Sequence, residues 1–434
     1  MGMLPKKLEH GMITPVLPHK TEVLMKYILV IGDGMADDPV LSLGMRTPLQ
    51  YAKTPGMDML ASAGVLGSAL TIPEGMPAGS DVAILSIFGC DPEKCFFGRA
   101  PLEAAAMGVR LSPGDVAYRC NMVTFEDGDM AFDEKKIVSH SAGSIDGAVS
   151  DAIITWLFET LPFKQAAEEA GVTIYPSSSF RHVVVQKAQS IKGIRLIPPH
   201  DHLGEPLGMY MPSGCDNAAV LGKLMRLAHG ILEDHPYNAQ RRKEGKLPAN
   251  GIWFWAEGTA AELPGFTERY GKTGGIVSAV PLCQGIGVLI GLDVALVEGA
   301  TGELDTNYEG KVDAVLGILE SRDFAAVHIE APDECTHDGD TKGKLQAIEW
   351  IDSRVVAPIA DRLRRGGMDF RMLVLSDHKT LTASKSHGGG PVPYVLYDSR
   401  VDRKSGLSFC EDDAALGGCV RAGTDLMEML FEES

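Results

Sequence analysis

Three short apolar runs in this chain each break off into residues of the metal-ligand type. Tyr27-Ile-Leu-Val-Ile31 leads into Gly32-Asp33-Gly34, and Met372-Leu-Val-Leu375 leads into Ser-Asp377-His378. Between them in sequence, Ala325-Ala-Val-His-Ile329 leads into Glu-Ala-Pro-Asp333-Glu-Cys-Thr-His337. A further histidine, His387, sits in Ser-His-Gly-Gly-Gly-Pro. Each run reads as a β-strand. Ligands in an open parallel sheet gather beyond the carboxyl ends of its strands, so segments far apart in sequence can meet at one site. Three aspartates and three histidines are about what two adjacent divalent ions require, once a nucleophile or water completes their shells. That pattern points to phosphoryl chemistry.

The rest of the chain supports an α/β fold. From the first strand to Leu111, and again from about Asp313 to Tyr397, short apolar runs alternate with helical stretches. This alternation predicts a largely parallel sheet flanked by helices. Residues 26–110 and 276–434 carry the ligands jointly and are expected to form one metal-binding phosphotransferase domain. The segment 111–275 is then an inserted smaller α/β domain for substrate binding, with strands at Val172–Tyr175 and Arg181–Val185 and helices near Gly147–Leu157 and Asn217–Leu232. A turn-rich stretch from Gly265 to Gly275 is expected to return the chain to the first domain. Residues 1–25 read as an N-terminal extension without structure ahead of the first strand.

Composition removes several function classes. Lys plus Arg number 40 against 58 Asp plus Glu, a net charge of -18. Nucleic-acid and anionic-membrane partners both need a basic face, so neither is expected. An anionic substrate is not steered by the overall field and must be held by metals and a few arginines. No apolar stretch is long enough to span a bilayer, and the first residues lack the apolar core of a secretory signal. The eight cysteines are scattered without Cys-x-x-Cys spacing, as expected for reduced thiols in a cytoplasmic protein. Gly265 to Thr273 approaches a phosphate-binding loop but has five residues between its glycines where four are needed. No Gly-x-Gly-x-x-Gly follows a strand. The sequence carries no signal for an oligomeric state.

Individual candidates follow from local chemistry. Asp33 lies between glycines that permit a tight turn at a strand end. Asp333 and His337 are spaced i, i+4 behind Pro332, which places both on one face of a helical turn. Asp340 is a candidate for the surrounding shell. Asp377 and His378, adjacent at a strand end, are expected to point in different directions and so to serve two metals. Ser80, in Gly79-Ser80-Asp81-Val-Ala-Ile-Leu85, is either the N-cap of an apolar helix or a nucleophile. In the second case the helix N-terminus would hold a phosphoryl group on its hydroxyl, and a bound metal would lower that hydroxyl's pKa. Lys311, Arg119, Arg181 and Arg241 are candidates for anion binding, and His140 for orienting substrate.

Together the motifs resemble the archaeal-type cofactor-independent phosphoglycerate mutases of the alkaline-phosphatase superfamily. The carriers are Gly-Asp33-Gly-Met, Gly-Ser80-Asp-Val-Ala-Ile-Leu, Gly98-Arg99-Ala-Pro-Leu-Glu103, Gly299-Ala-Thr-Gly with Asp-Thr-Asn-Tyr308, Pro332-Asp333 with His337-Asp-Gly-Asp340, Ser-Asp377-His378, and His387 before Pro-Val-Pro. The resemblance implies an alkaline-phosphatase-like sheet and an enzyme that interconverts 3-phosphoglycerate and 2-phosphoglycerate, a small phosphorylated metabolite. It implies two divalent ions, typically Mn²⁺, with Zn²⁺, Co²⁺ or Mg²⁺ as alternatives. Asp33, Ser80, Asp377 and His378 would surround one ion, and Asp333, His337 and His387 the other. Ser80 would carry the phosphoryl group, Lys311 would neutralise it, and Arg181 would hold the substrate's anionic groups. One departure is Ser144, which stands where the mutases commonly have arginine. The Ser139-His-Ser-Ala-Gly segment and Pro199-His-Asp201 resemble instead a bacterial branch proposed to phosphorylate homoserine. A metal-dependent phosphatase, with water as the final acceptor, is a third reading.

Overall fold

The computed structural model describes residues 25–96, 98–260 and 262–432. Residues 1–24, most of the expected N-terminal extension, lie outside them.

The central sheet has eight strands. Lys26–Gly32 lies between Phe324–Ile329 and Phe370–Ser376 and is parallel to both. Gly274–Val277 and Asp293–Ala295 extend the parallel run on one side. On the other side Val392–Asp398 pairs antiparallel with both Phe370–Ser376 and Val65–Ala69, and Cys419–Val420 closes the edge. Only Val392–Asp398 runs against the other strands.

The continuous apolar runs of the sequence are explained by burial on both faces. Tyr27, Leu29 and Ile31 enter one core layer, whereas Ile28 and Val30 enter the other. Helices Pro55–Ala63, Tyr308–Ser321 and Ala357–Arg365 cover the second layer. Helices Ser80–Ile87, Pro281–Ile290 and Leu426–Phe431 cover the first. The stretch Gly265–Gly275, read as a turn-rich return, contains a short helix at Phe266–Tyr270 and the start of a central strand at Gly274–Val277. Two glycines in the latter hid it.

A second, five-stranded sheet is built within Val116–Thr259 and is antiparallel throughout. Val116–Phe125 is fully buried and pairs with Arg181–Gln186 and Gly251–Thr259. Helices Gly147–Glu159 and Asp216–Leu232 cover it and share its core. Helix Ala100–Ala106 joins the two halves. Ala100 and Ala104 pack on Ala117, Val183 and Val185 of the smaller sheet. Its Leu102 carbonyl abuts Gly285 of helix Pro281–Ile290 so closely that a Cβ there would collide with it. Among the described residues no helix is long and apolar enough to cross a membrane.

Candidate active site

Strand register puts the site's first residues side by side. Gly32 pairs with Ser376 on one neighbour and with Ile329 on the other. The next residues, Asp33, Asp377 and Glu330, therefore leave the sheet together at its carboxyl edge, where open parallel sheets place their ligands. The Asp33 amide still donates to the Ile329 carbonyl at 2.9 Å. Gly34 then turns the chain with φ +63°, and its amide donates to Asp377 Oδ1 at 3.1 Å. A side chain at this position would collide with Thr380 Oγ1 and Asp333 Oδ1.

Asp333 and His337 arrive on helix Ala331–Asp338, opened by Pro332 as the spacing predicts. Asp333 Oδ2 lies 3.2 Å from His337 Nε2, and its Oδ1 lies 3.5 Å from His387 Nε2. His387 comes from a two-stranded hairpin, Lys379–Leu381 with Ser386–Gly388. The two imidazole Nε2 atoms are 3.0 Å apart. Asp340, by contrast, is exposed and caps helix Thr341–Trp350 by accepting from the Gly343 amide.

Asp377 and His378 do not diverge as expected. The strand ends at Ser376, the pleat no longer governs the two side chains, and His378 Nε2 lies 3.3 Å from Asp377 Oδ2 and 3.4 Å from Asp33 Oδ1.

Ser80 is the first residue of its helix, behind Gly79, and does not cap it. Its hydroxyl points out of the helix, donating to Asp33 Oδ2 at 3.2 Å and lying 3.1 Å from His378 Nε2. Each ligand-type histidine is oriented through Nδ1, which donates to a carbonyl: His337 to Lys385 at 2.9 Å, His387 to Ala78 at 3.1 Å, and His378 to Lys379 at 3.3 Å. All three rings thus present Nε2 to the carboxylates.

The carboxylates in this cluster crowd one another. Burial and the neighbouring charges of Asp377, Asp333 and Glu330 hold Asp33 well above the carboxylate range. Burial also pushes Asp333 up, but hydrogen bonds from His337 and His387 outweigh it and hold the group far below that range. His337 is raised to about 9 by its bond to Asp333, against the effect of burial. Burial presses His387 down, but its bond to Asp333 leaves it raised. Asp33 Oδ1 and Asp377 Oδ2 are buried without a hydrogen-bond partner. Unpaired buried carboxylate oxygens beside converging imidazole nitrogens are the donor set of a divalent-metal centre. Among the described residues two three-residue groups have the required proximity: Asp333, His337 and His387, and Asp33, Asp333 and His378. Asp333 belongs to both, where the resemblance assigned it to one ion.

Beside the cluster lies a cavity of about 600 Å³, lined from both halves of the molecule. Arg181, Arg119 and Trp255 come from the smaller sheet, Arg99 from the joining segment, and Glu330 and Glu334 from the metal-type edge. Arg119 is paired through two nitrogens with Glu103 and lies over the Trp255 ring, 4.8 Å from its centroid. Arg181 lies 5.5 Å from the same centroid and 5.3 Å from that of Phe180. Among the described residues no carboxylate pairs with it, its Nε is buried without a partner, and burial with the nearby Arg119 charge lowers it to about 10. Arg99 Nε is likewise buried and unpaired.

The other candidates fall outside this wall. His140 sits behind it, 5.9 Å from both Phe180 and His200 ring to ring. Arg241 is away from the cavity, donating to the carbonyls of Leu247 and Ala142 at 2.8 Å each. Ser144 is exposed and does not line the cavity. Lys311 is buried, with Nζ 3.4 Å from the His328 carbonyl and 3.5 Å from that of Thr301. Burial lowers it to about 8 against the pull of Glu330.

Sequence reasoning missed Glu330, Glu334, Arg99 and Trp255. Glu330 stands one residue past a ligand-bearing strand, the same signal that singled out Asp33. Burial, with the charges of Glu334 and Asp333, raises it to about 8.

Kinship with named proteins defines an enzyme of the isomerase and phosphotransferase type. The protein-family model for 2,3-bisphosphoglycerate-independent phosphoglycerate mutase matches residues 61–238. A Methanosarcina barkeri protein of that name is 45% identical over 411 residues, covering 94% of this chain and 100% of that protein. A Geobacter sulfurreducens protein described as a probable enzyme of the same name is 43% identical over 94% of this chain and 100% of its own length. Among solved structures, a Pyrococcus horikoshii protein superposes with a TM-score of 0.77 at 30% identity, covering 95% of this chain and 99% of that one. The cofactor-independent phosphoglycerate mutase of Thermoplasma acidophilum gives 0.62 at 27% identity, with coverage of 94% and 98%. The chain belongs to the 2,3-bisphosphoglycerate-independent phosphoglycerate mutase family.

Proposed function

We propose that this enzyme interconverts 3-phosphoglycerate and 2-phosphoglycerate through a phosphoserine on Ser80. The observation that carries the reading is the Ser80 hydroxyl, aimed at Asp33 and His378 instead of at its own helix amides. Asp33, Ser80, Asp377 and His378 would hold one divalent ion and Asp333, His337 and His387 the other, with Asp333 within reach of both. Mn²⁺ is the expected ion, with Zn²⁺, Co²⁺ or Mg²⁺ able to occupy oxygen–nitrogen sites of this kind. Bound there, the ions supply Lewis-acid stabilisation of phosphoryl charge and a lowered hydroxyl pKa.

The chain's own groups do the rest. Ser80 Oγ attacks phosphorus while its proton passes to Asp33 Oδ2, and the ester bond to the 3-oxygen breaks. The glycerate's 2-hydroxyl then attacks the same phosphorus, its proton passing to the 3-oxygen, and Asp33 Oδ2 returns its proton to Ser80 Oγ as the serine is released. Arg181 and Arg99 receive the substrate's anionic groups, because both have buried donors left unused. Lys311 contributes positive charge from below the strand edge. The 111–275 segment acts as a substrate-binding insertion that shields the phosphoserine from water, since the cavity takes its wall from both halves.

Protein loaded with Mn²⁺ and given 3-phosphoglycerate should show turnover in an enolase-coupled assay, and mass spectrometry of quenched enzyme should place phosphate on Ser80. Free phosphate as the product would make it a phosphatase. Phosphate on homoserine, with no exchange between phosphoglycerates, would make it a kinase. No turnover despite bound metal rejects the mutase reading.

A further inference from the structure

Behind Asp33 a line of buried side chains faces neither the cavity nor solvent. His328 lies inside strand Phe324–Ile329, a run otherwise apolar, and is buried. Its Nε2 is 2.9 Å from Asp33 Oδ2, and its Nδ1 is 3.2 Å from Ser278 Oγ. Ser278 is also buried and directly follows the adjacent parallel strand Gly274–Val277. Its Oγ accepts from the Val280 amide at 3.0 Å.

Once Asp33 is ionised, as holding a cation requires, these contacts fix every proton in the line. An ionised carboxylate only accepts, so His328 then carries its proton on Nε2 and donates it to Asp33. Nδ1 is then an acceptor, and the Ser278 hydroxyl, which already accepts from Val280, donates to it. Asp33 Oδ2 therefore receives two hydrogen bonds, from His328 and from Ser80, while Oδ1 receives none. Repulsion from the neighbouring Asp333 and Asp377 would otherwise turn this carboxylate away, and its flanking glycines offer no side chains to stop it.

We infer that Ser278 and His328 are positioning residues for Asp33, holding its carboxylate in the one rotamer that turns Oδ1 into the metal-type cluster and keeps Oδ2 against Ser80. This rests on the reading of Asp33 as a metal ligand. Partners that orient a ligand are typically worth about 10–100-fold in metal affinity.

The test titrates metal-free protein with Mn²⁺ alone, by calorimetry, and follows thermal unfolding of the same samples. His328→Leu should weaken one of two Mn²⁺ sites by about 10–100-fold and leave the other within about threefold. His328→Gln, whose amide nitrogen reaches about as far as Nε2, should restore most of the loss. His328→Asn, too short to reach Asp33, should not, and it serves as the donor-deleted variant if the leucine variant fails to fold. A common fall in Tm across these variants with both Mn²⁺ affinities unchanged overturns the inference and leaves the metal reading standing. Wild-type protein that takes up no Mn²⁺ overturns both.

Discussion

The acid–imidazole cluster and the cavity beside it hold their charges in opposite ways. In the cluster, imidazoles are anchored by backbone carbonyls and Asp33 by His328, so donor atoms are fixed while two carboxylate oxygens are left without a partner. In the cavity wall, Arg181 rests on the faces of Trp255 and Phe180 with no carboxylate to pair with it. On the function proposed above, cations would complete one region and an anion the other. The difference also concerns rigidity: backbone anchors suit a site that must keep ångström-scale ligand geometry, whereas an aromatic face holds a guanidinium in place without using its hydrogen-bond donors.

The most severe way to break the contrast is Ser80→Ala, which removes the hydroxyl aimed at Asp33 and His378. Turnover should fall by about 10⁴-fold or more, as for nucleophile deletions generally, while Mn²⁺ binding in calorimetry persists. Next comes removal of metal by a chelator, which should abolish activity reversibly. Metal at about 1,000-fold its Kd should stabilise the fold by about 4 kcal/mol over the stripped protein, read as a rise in Tm.

The pH dependence has a definite sign. Asp33, His337 and His387 are all raised without metal, His337 to about 9, and each must lose its proton to bind an ion. Affinity should climb as pH rises toward about 9, with protons released on binding, visible as buffer-dependent heats in calorimetry.

Smaller effects sharpen the other side of the comparison. Arg181→Met should raise KM for phosphoglycerate by about 10–100-fold, the worth of hydrogen bonds to a charged group at ~1.5–3 kcal/mol, with metal affinity unchanged. Trp255→Leu removes the surface under two guanidinia, of which Arg181 faces substrate, and should raise KM by roughly 2–5-fold, in line with ~0.5–1 kcal/mol per cation–π contact. Arg241→Ala is the control. It should cost about 1 kcal/mol of stability in denaturant unfolding and leave KM within twofold.

Legibility followed chemistry that is local. Asp33, Asp377 and His378 could be read because each follows an apolar run long enough to declare a strand, and the i, i+4 spacing of Asp333 and His337 announced a helical face. The same habit failed where an element lacked contrast. Gly274–Val277 was hidden by its own glycines. His328 was passed over because a lone histidine inside a strand looks like filler until its two ring nitrogens are seen to join Ser278 to Asp33.

What the sequence determined by itself was the sheet, its ligand-bearing edge and the family, since these rest on periodicity and on motifs a few residues long. What only the tertiary structure decided was how the charges are shared out. Arg119 and Arg181 are alike in sequence, yet Glu103 neutralises one and leaves the other free. Asp333 is one carboxylate within reach of two ligand groups. Charge pairing depends on distances between residues remote along the chain, and folding alone sets those distances.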